Sequence, residues 1–524
     1  MPFAVPSHPT RRHLLQGSAI VGGGLLVPSA ALADPSPRGG RIVDPFTLGV
    51  ASGDPLPDSV VLWTRLAPSP LEYNGGMPTR NVPVRWELAT DAGFRTIAQR
   101  GTETALADEA HTLHVEVKGL EPHREYWYRF RVGKEISPVG RTRTAPAAGS
   151  LSPISFGITS CASFEVGYFT AYEHMAKEDL DVVFCLGDYL YEYAAGAMGE
   201  VRSHEGNEMN TLDEYRQRHA HQKTDVDLQA AHAAAPWIVT WDDHEVDNNY
   251  ADLSPENSDP AQGNQSTESF AERRTAAYRA YWEHMPLRRF RKPVDTNLPL
   301  YRSFDYGDLA RFSVLDSRQY RDDQPYGDRS DINGPDQWET DMLGEEQHAW
   351  FEKNLLESRA AWNIVPQQIF FANMDYNPNG PGSYNDGWDG YQASRDRILG
   401  LVAERQIENF VVLTGDVHNH YMNDLRRDFE DDASLILGSE VVATSVTSNG
   451  DGASYSDEQV AAWQSDMPYM HYRQNRRGYV TCEVTPEEYR ADFHTLDYVT
   501  QKGSPLTTDA SFVIESGVPG ANAV

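Results

Sequence analysis

Four short stretches of this chain carry the residue types that ligate metal ions. They are Cys161 in Thr159-Ser160-Cys161-Ala162-Ser163, Asp188 with Tyr191 in Gly187-Asp188-Tyr189-Leu190-Tyr191, Asp242-Asp243-His244-Glu245, and Asp416 with His418 in Gly415-Asp416-Val417-His418. Carboxylates and phenolates suit hard cations, whereas a thiolate and an imidazole beside them suit a transition metal. Each stretch alone is weak, because a strand-end Asp is commonly a turn residue and a lone His is commonly packed. Four of them in one domain point to a metal centre.

Each stretch follows an apolar run of strand length: Ile154 to Thr159, Val182 to Leu186, Trp237 to Trp241, and Asn409 to Thr414. Helical spacing fills the intervals at Phe169 to Lys177, Asp213 to Ala235, Phe270 to Met285, Gly344 to Leu356 and Arg395 to Glu404. Arg311 to Leu315 and Asn363 to Phe371 read as further strands. Alternation of this kind predicts an α/β domain over 151–515, and such sheets gather functional residues at the carboxyl ends of their strands. The polar loop Ala251 to Ser269 is placed at a substrate rim. Asp386 to Tyr391 is read as packing, Cys185 and Cys482 as core, and the tail from Gly517 as frayed.

Ahead of this domain, 41–143 alternates over short runs such as Val60 to Trp63, Val84 to Leu88 and Tyr126 to Phe130. The pattern predicts a small all-β sandwich of fibronectin III or immunoglobulin type. Leu120-Glu121-Pro122 followed by Tyr126 fits the tyrosine corner of such domains. Thr144 to Ser150 reads as the linker.

Residues 1–33 read as a twin-arginine signal peptide. Arg11-Arg12 precedes an apolar run from Gly17 to Val27, too short to span a bilayer comfortably, and Ala31-Leu32-Ala33 forms the cleavage site. A secreted protein handled by the twin-arginine machinery is therefore expected. The net charge of −32 argues against nucleic-acid binding and favours divalent cations. Three cysteines are too few for a disulfide framework. A monomer is expected.

The sequence resembles the alkaline phosphatase D family of calcineurin-like metallophosphoesterases over nearly the whole mature chain. The resemblance is carried by Gly49-Val50-Ala51-Ser52-Gly53-Asp54-Pro55, Val61-Leu62-Trp63-Thr64-Arg65, Ser160-Cys161, Gly187 to Tyr193, Trp241 to Asn249, Leu315 to Arg321 and Gly415 to His418. It implies a metallophosphoesterase β-sandwich flanked by helices. It also implies Fe3+ on Cys161, Asp188, Tyr191 and His418, and Ca2+ on Asp188, Asp243 and Asp416 with Asn248 or Asn249, Asp188 bridging. The implied reaction is hydrolysis of phosphate monoesters or diesters by a metal-bound hydroxide, with catalytic His244 assisting the leaving oxygen. An iron-dependent bacterial phospholipase D belongs to the same family, so phospholipid is an alternative substrate; a non-catalytic calcium-binding exported protein is a further alternative. Arg202 and Arg318 are candidates for a phosphate clamp, each equally suited to a structural ion pair. Cleavage is expected after Ala33, so intact-mass analysis of the exported protein should find Asp34 at its amino terminus; a mass that retains the leader would refute the site.

Overall fold

Three parallel strands, Ile154–Thr159, Val182–Leu186 and Trp237–Thr240, form the centre of a ten-stranded sheet. All are buried along their length apart from the half-buried Ser155, as expected of parallel strands covered on both faces. The computed structural model describes residues 42–256, 267–327, 334–374 and 384–524. The predicted signal peptide lies outside the described residues, as does most of the Ala251 to Ser269 loop.

A second sheet of eight strands has Ala310–Val314, Trp362–Pro366 and Phe410–Thr414 in parallel at its core. The two sheets close on one apolar layer in which Phe156, Phe184, Phe312, Trp362, Leu413 and Val480 are fully buried. Helices cover the outer faces. Thr170–Met175, Leu212–Gln222, Val226–Ala234 and Thr267–His284 contribute to the layer behind the first sheet, and Gly344–Leu356 and Gln392–Arg405 to the layer behind the second. The predicted α/β sandwich flanked by helices is the arrangement found.

Several boundaries differ from expectation. The segment read as continuous helix from Asp213 to Ala235 is two helices, because Asp225 caps the second by accepting from the N–H groups of Asp227 and Leu228. The strand expected to reach Phe371 stops at Pro366. The tail is not frayed: Asn522–Ala523 pairs with Leu506–Glu515, and the Ala521 N–H donates to Asp424. Cys185 and Cys482 are buried core thiols, as expected.

The regular elements from Val50 to Arg143 are all strands apart from one short 3-10 helix. Ile97–Ala105, Val82–Ala89, Glu125–Val132, Glu135–Ile136 and Gly140–Arg143 form a five-stranded sheet. Val50–Leu56, Ser59–Arg65 and Thr112–Lys118 pack against it around Leu62, Val84, Leu88, Val115 and Phe130. The Glu121 N–H donates to Tyr126 Oη at 3.0 Å, the bond of a tyrosine corner. Val50–Leu56 also runs parallel to Trp237–Thr240, so these three strands extend the ten-stranded sheet.

A buried ion pair fixes that junction. Arg302 donates from Nε and Nη2 to Asp54 Oδ1 at 3.1 and 2.9 Å, and from Nη2 to the Val239 carbonyl at 2.9 Å. Both side chains are at most 3% exposed. Arg302→Met strands the Asp54 carboxylate and is expected to lower the unfolding free energy by about 3–5 kcal/mol. Urea denaturation measures it, and adding Asp54→Asn should recover part of the loss.

Candidate metal centre

Four strand ends converge on one edge of the sandwich. Cys161 follows Ile154–Thr159, Asp188 follows Val182–Leu186, Asp243 follows Trp237–Thr240, and Asp416 follows Phe410–Thr414 of the facing sheet. A bridge between Ser160 and Ser445 ties the two sheets together there. Gly187, at φ 106°, lets the loops approach: a Cβ at this position would lie 2.4 Å from the backbone nitrogen and Cβ of Asp242. Cys161, Asp188, Asn249, Asp416 and His418 all hold positive φ between 51° and 62°. Non-glycine residues in this region concentrate at functional sites, where the surroundings enforce the strain.

Among the described residues, two sets have donor atoms within 4.8 Å of one another: Cys161, Asp188 and His418 in one, Asp188, Asp243 and His244 in the other. Asp188 belongs to both. Its Oδ2 accepts from Tyr191 Oη at 3.2 Å, while its Oδ1 is buried with no hydrogen-bond partner. Tyr191 Oη is also 3.3 Å from His418 Nε2. The structure thus brings together Cys161, Asp188, Tyr191 and His418. Burial, followed by the charge of Asp188, pushes the Cys161 thiol and the Tyr191 phenol well above their ordinary pKa values, and burial pushes the His418 imidazole down to about 3. A cation among them would reverse the first two shifts by favouring thiolate and phenolate.

Asp243 accepts from the backbone N–H groups of His244 and Asn249 at 3.0 and 2.7 Å. The side-chain amide of Asn249 ends 3.2 Å from Asp243 Oδ2 and 3.3 Å from Asp386 Oδ2. Asn248 instead donates its amide to Glu256 at 2.6 Å. Asp416 stands outside both donor sets, accepts from Tyr384 Oη at 3.0 Å, and lies 3.9 Å from Arg318.

His244 directs Nδ1 to Glu192 Oε2 at 2.8 Å, and its ring lies 4.2 Å from that of Tyr191. Burial opposes its charge, yet Glu192, Asp243 and Asp188 outweigh that and hold its pKa well above the usual value. Glu192 also accepts from the Asn248 N–H, which locks the loop between the two strand ends.

Arg318 is fully buried. It donates to Asp242 from Nε and to both Asp386 oxygens from Nη1 at 2.9 and 2.8 Å, while Nη2 faces Asp243 and Asp416. Arg202 pairs with Asp225 and lies over Phe164 and Phe169. Both make buried ion pairs, and each keeps its Nη2 without a hydrogen bond. Asp386, expected merely to pack, anchors Arg318, Arg321 and Gln324.

Sequence reading left Glu192 and Glu245 without roles and gave Asp386 packing alone. Glu245 accepts from the N–H groups of Asp188, Tyr189 and Asp242, stapling two strand ends. Its place inside Asp242-Asp243-His244-Glu245 was the available signal; nothing local marks Asp386.

A sandwich of this topology, with one carboxylate shared by two donor sets at its edge, defines a metal-dependent phosphoesterase, and the comparisons agree. The chain belongs to the PhoD-like phosphatase family: residues 156–493 match that family and residues 33–146 match its N-terminal domain. It is 49% identical over 493 residues to alkaline phosphatase D of Bacillus subtilis (strain 168), covering 92% of this chain and 82% of that protein. The solved structure of PhoD superposes with a TM-score of 0.88 at 48% identity, covering 92% of each chain. A purple acid phosphatase from yellow lupin (Lupinus luteus) seeds shares the fold alone, with a TM-score of 0.53 at 14% identity over 89% of this chain and 74% of that one.

The crowded carboxylates predict a pH response in the chelated protein. Burial pushes Asp242 from 3.8 up to about 7, and Asp188 and Asp416 well above 3.8. At these three carboxyls the folded state binds more protons than the unfolded one, so their contribution to stability is lost as pH rises from about 4 through 7, while imidazoles lowered by burial, such as His114, His418 and His420, contribute in the opposite sense. Asp243, whose pKa is lowered, loses its contribution only on acidification below that window. In chelated protein the Tm of Asp416→Asn relative to wild type should therefore rise as pH is raised from 4 to 7, and divalent cation should reverse the difference in favour of wild type; a Tm difference that is flat over this range would contradict the assignment.

Proposed function

We propose that this phosphatase is an exported metallophosphoesterase hydrolysing phosphate monoesters and diesters at an iron and calcium centre. The observation that carries the reading is the orphaned Asp188 Oδ1, buried in a residue common to both donor sets. A buried carboxylate oxygen without a partner is costly unless a cation satisfies it.

The donor chemistry fits two unlike ions. Cys161, Tyr191 and His418 with Asp188 offer sulfur, phenolate and imidazole, a ferric set. Asp188, Asp243 and Asp416 offer oxygens alone, a calcium set, to which Asn249 would add its amide oxygen on turning over from the orientation in which its NH2 donates to Asp243 and Asp386. When bound, the ions supply Lewis acidity toward the phosphoryl oxygens and the attacking water. His244, held through Nδ1 by Glu192, keeps Nε2 to donate a proton to the departing alkoxide. Export rests on Arg11-Arg12 with the apolar run and Ala31-Leu32-Ala33, and the acidic composition suits a secreted protein that attracts divalent cations.

Assays on p-nitrophenyl phosphate, its bis-ester and phosphatidylcholine, with and without calcium chelator, test the reading and rank the substrates. Activity should fall on calcium removal and on iron removal; equal activity after both would sink the two-ion centre. His244→Ala is expected to lower kcat by about 10²–10⁴-fold, with the smaller loss on p-nitrophenyl phosphate, whose leaving group needs little protonation. Purified protein should be coloured, and Tyr191→Phe should shift or abolish the visible band.

A further inference from the structure

The turn from Thr444 to Asn449, which contains none of the candidate ligands, touches three of them at once. Ser448 Oγ lies 2.6 Å from Tyr191 Oη and 2.9 Å from the Cys161 carbonyl oxygen. The backbone N–H groups of Thr447 and Ser448 already point at that carbonyl, each at 3.4 Å. The side-chain nitrogen Nδ2 of Asn449 lies 2.9 Å from His418 Nδ1, and Thr444 Oγ1 donates to the His418 carbonyl at 3.0 Å.

The turn is itself held from behind. Arg477, fully buried, donates from Nη1 to Ser445 Oγ at 2.5 Å and to the Ser448 carbonyl at 2.7 Å. Ser445 Oγ donates to the same carbonyl at 2.8 Å, and Thr447 Oγ1 donates to the Ser163 carbonyl at 2.6 Å. Asn449 and Gly450 take φ of 69° and 71°, which turns the chain so that the Asn449 amide meets the imidazole.

Two physical constraints give this contact set meaning. A serine hydroxyl has one hydrogen to donate, and the Cys161 carbonyl has two N–H groups facing it, so that hydrogen is available to the Tyr191 oxygen. An imidazole that binds a metal through one nitrogen needs its other N–H fixed by an acceptor. Asn449 Nδ2 is the atom that meets His418 Nδ1; half a turn of the amide puts its oxygen there to accept from Nδ1–H, which leaves the Nε2 lone pair of His418 toward the ligand cluster.

We propose that the Thr444 to Asn449 turn is the positioning shell of the Cys161, Tyr191 and His418 half-site. Ser448 supplies the hydrogen bond to the Tyr191 oxygen, and Asn449 fixes the tautomer and ring plane of His418. This rests on the reading of those residues as ligands of one ion. Removing the Ser448 hydroxyl makes the phenolate oxygen more electron-rich, which moves a phenolate-to-metal absorption to longer wavelength. Removing the Asn449 amide loosens the imidazole and weakens metal retention.

The experiment compares wild type, Ser448→Ala, Ser448→Thr, Asn449→Gly and Tyr191→Phe, all purified as full chains and checked for a cooperative melt. Glycine is chosen at 449 because it keeps the positive φ without strain. Visible spectra should show the band at longer wavelength in Ser448→Ala and near its wild-type position in Ser448→Thr. Elemental analysis after dialysis against chelator should find about 10-fold weaker metal retention in Asn449→Gly. A wild type that carries the Tyr191-dependent band, beside Ser448→Ala and Asn449→Gly that match it in spectrum and retention, overturns this inference alone. A wild type without metal at this half-site overturns the inference and the proposed centre together.

Discussion

Charge crowding at one sheet edge is the constraint to which the rest of the structure answers. Asp188, Asp242, Asp243, Asp386 and Asp416 are drawn together from separate loops, most of them buried, where like charges repel far more strongly than in water. Arg318 offsets part of that repulsion from inside the cluster, with Arg321 beside it on Asp386. The arginines pair closely with Asp242 and Asp386, and Arg318 reaches toward Asp243 and Asp416 at 3.7 and 3.9 Å. Asp188 and Asp242 each keep a buried oxygen without a hydrogen-bond partner, so the cluster still has room for cations.

The backbone makes a second concession to the same edge. Left-handed conformations at Cys161, Asp188, Asp416 and His418 cost energy that no local propensity returns. Long-range hydrogen bonds hold them in place. The carboxylate of Glu245 accepts from three N–H groups on two strand ends, and the Cys161 and Ala162 N–H groups donate to the carbonyls of Gly187 and Asp188. The donor atoms are therefore placed by the sandwich as a whole.

What could be read from the sequence follows from this. Val182–Leu186 and Gly344–Leu356 were legible to the residue, because a short apolar run and a helical period are local signals. The donor residues at the four strand ends were legible because each follows such a run. Asp386 was not, since it lies in a polar, aromatic loop and acquires its role from Arg318, 68 positions away. Ser448 and Asn449 were missed for the same reason: their partners Tyr191 and His418 lie 257 and 31 positions away. The helix break at Asp225 was missed because the polar spacing continues through it.

The shared ten-stranded sheet has a kinetic consequence. Its spatial order sets Val50–Leu56 beside Trp237–Thr240, and Gly478–Val484 beside Ile154–Thr159. Neighbours in space are thus separated by well over a hundred positions along the chain. Loop-closure entropy must be met before such contacts return any stability, so this sheet cannot be completed until both partners of each long-range pair have been made. The strands near residue 523 join it only after the residues before them have been made. Maturation is consequently a late, collective event, and until it occurs the edge that gathers the carboxylates does not exist.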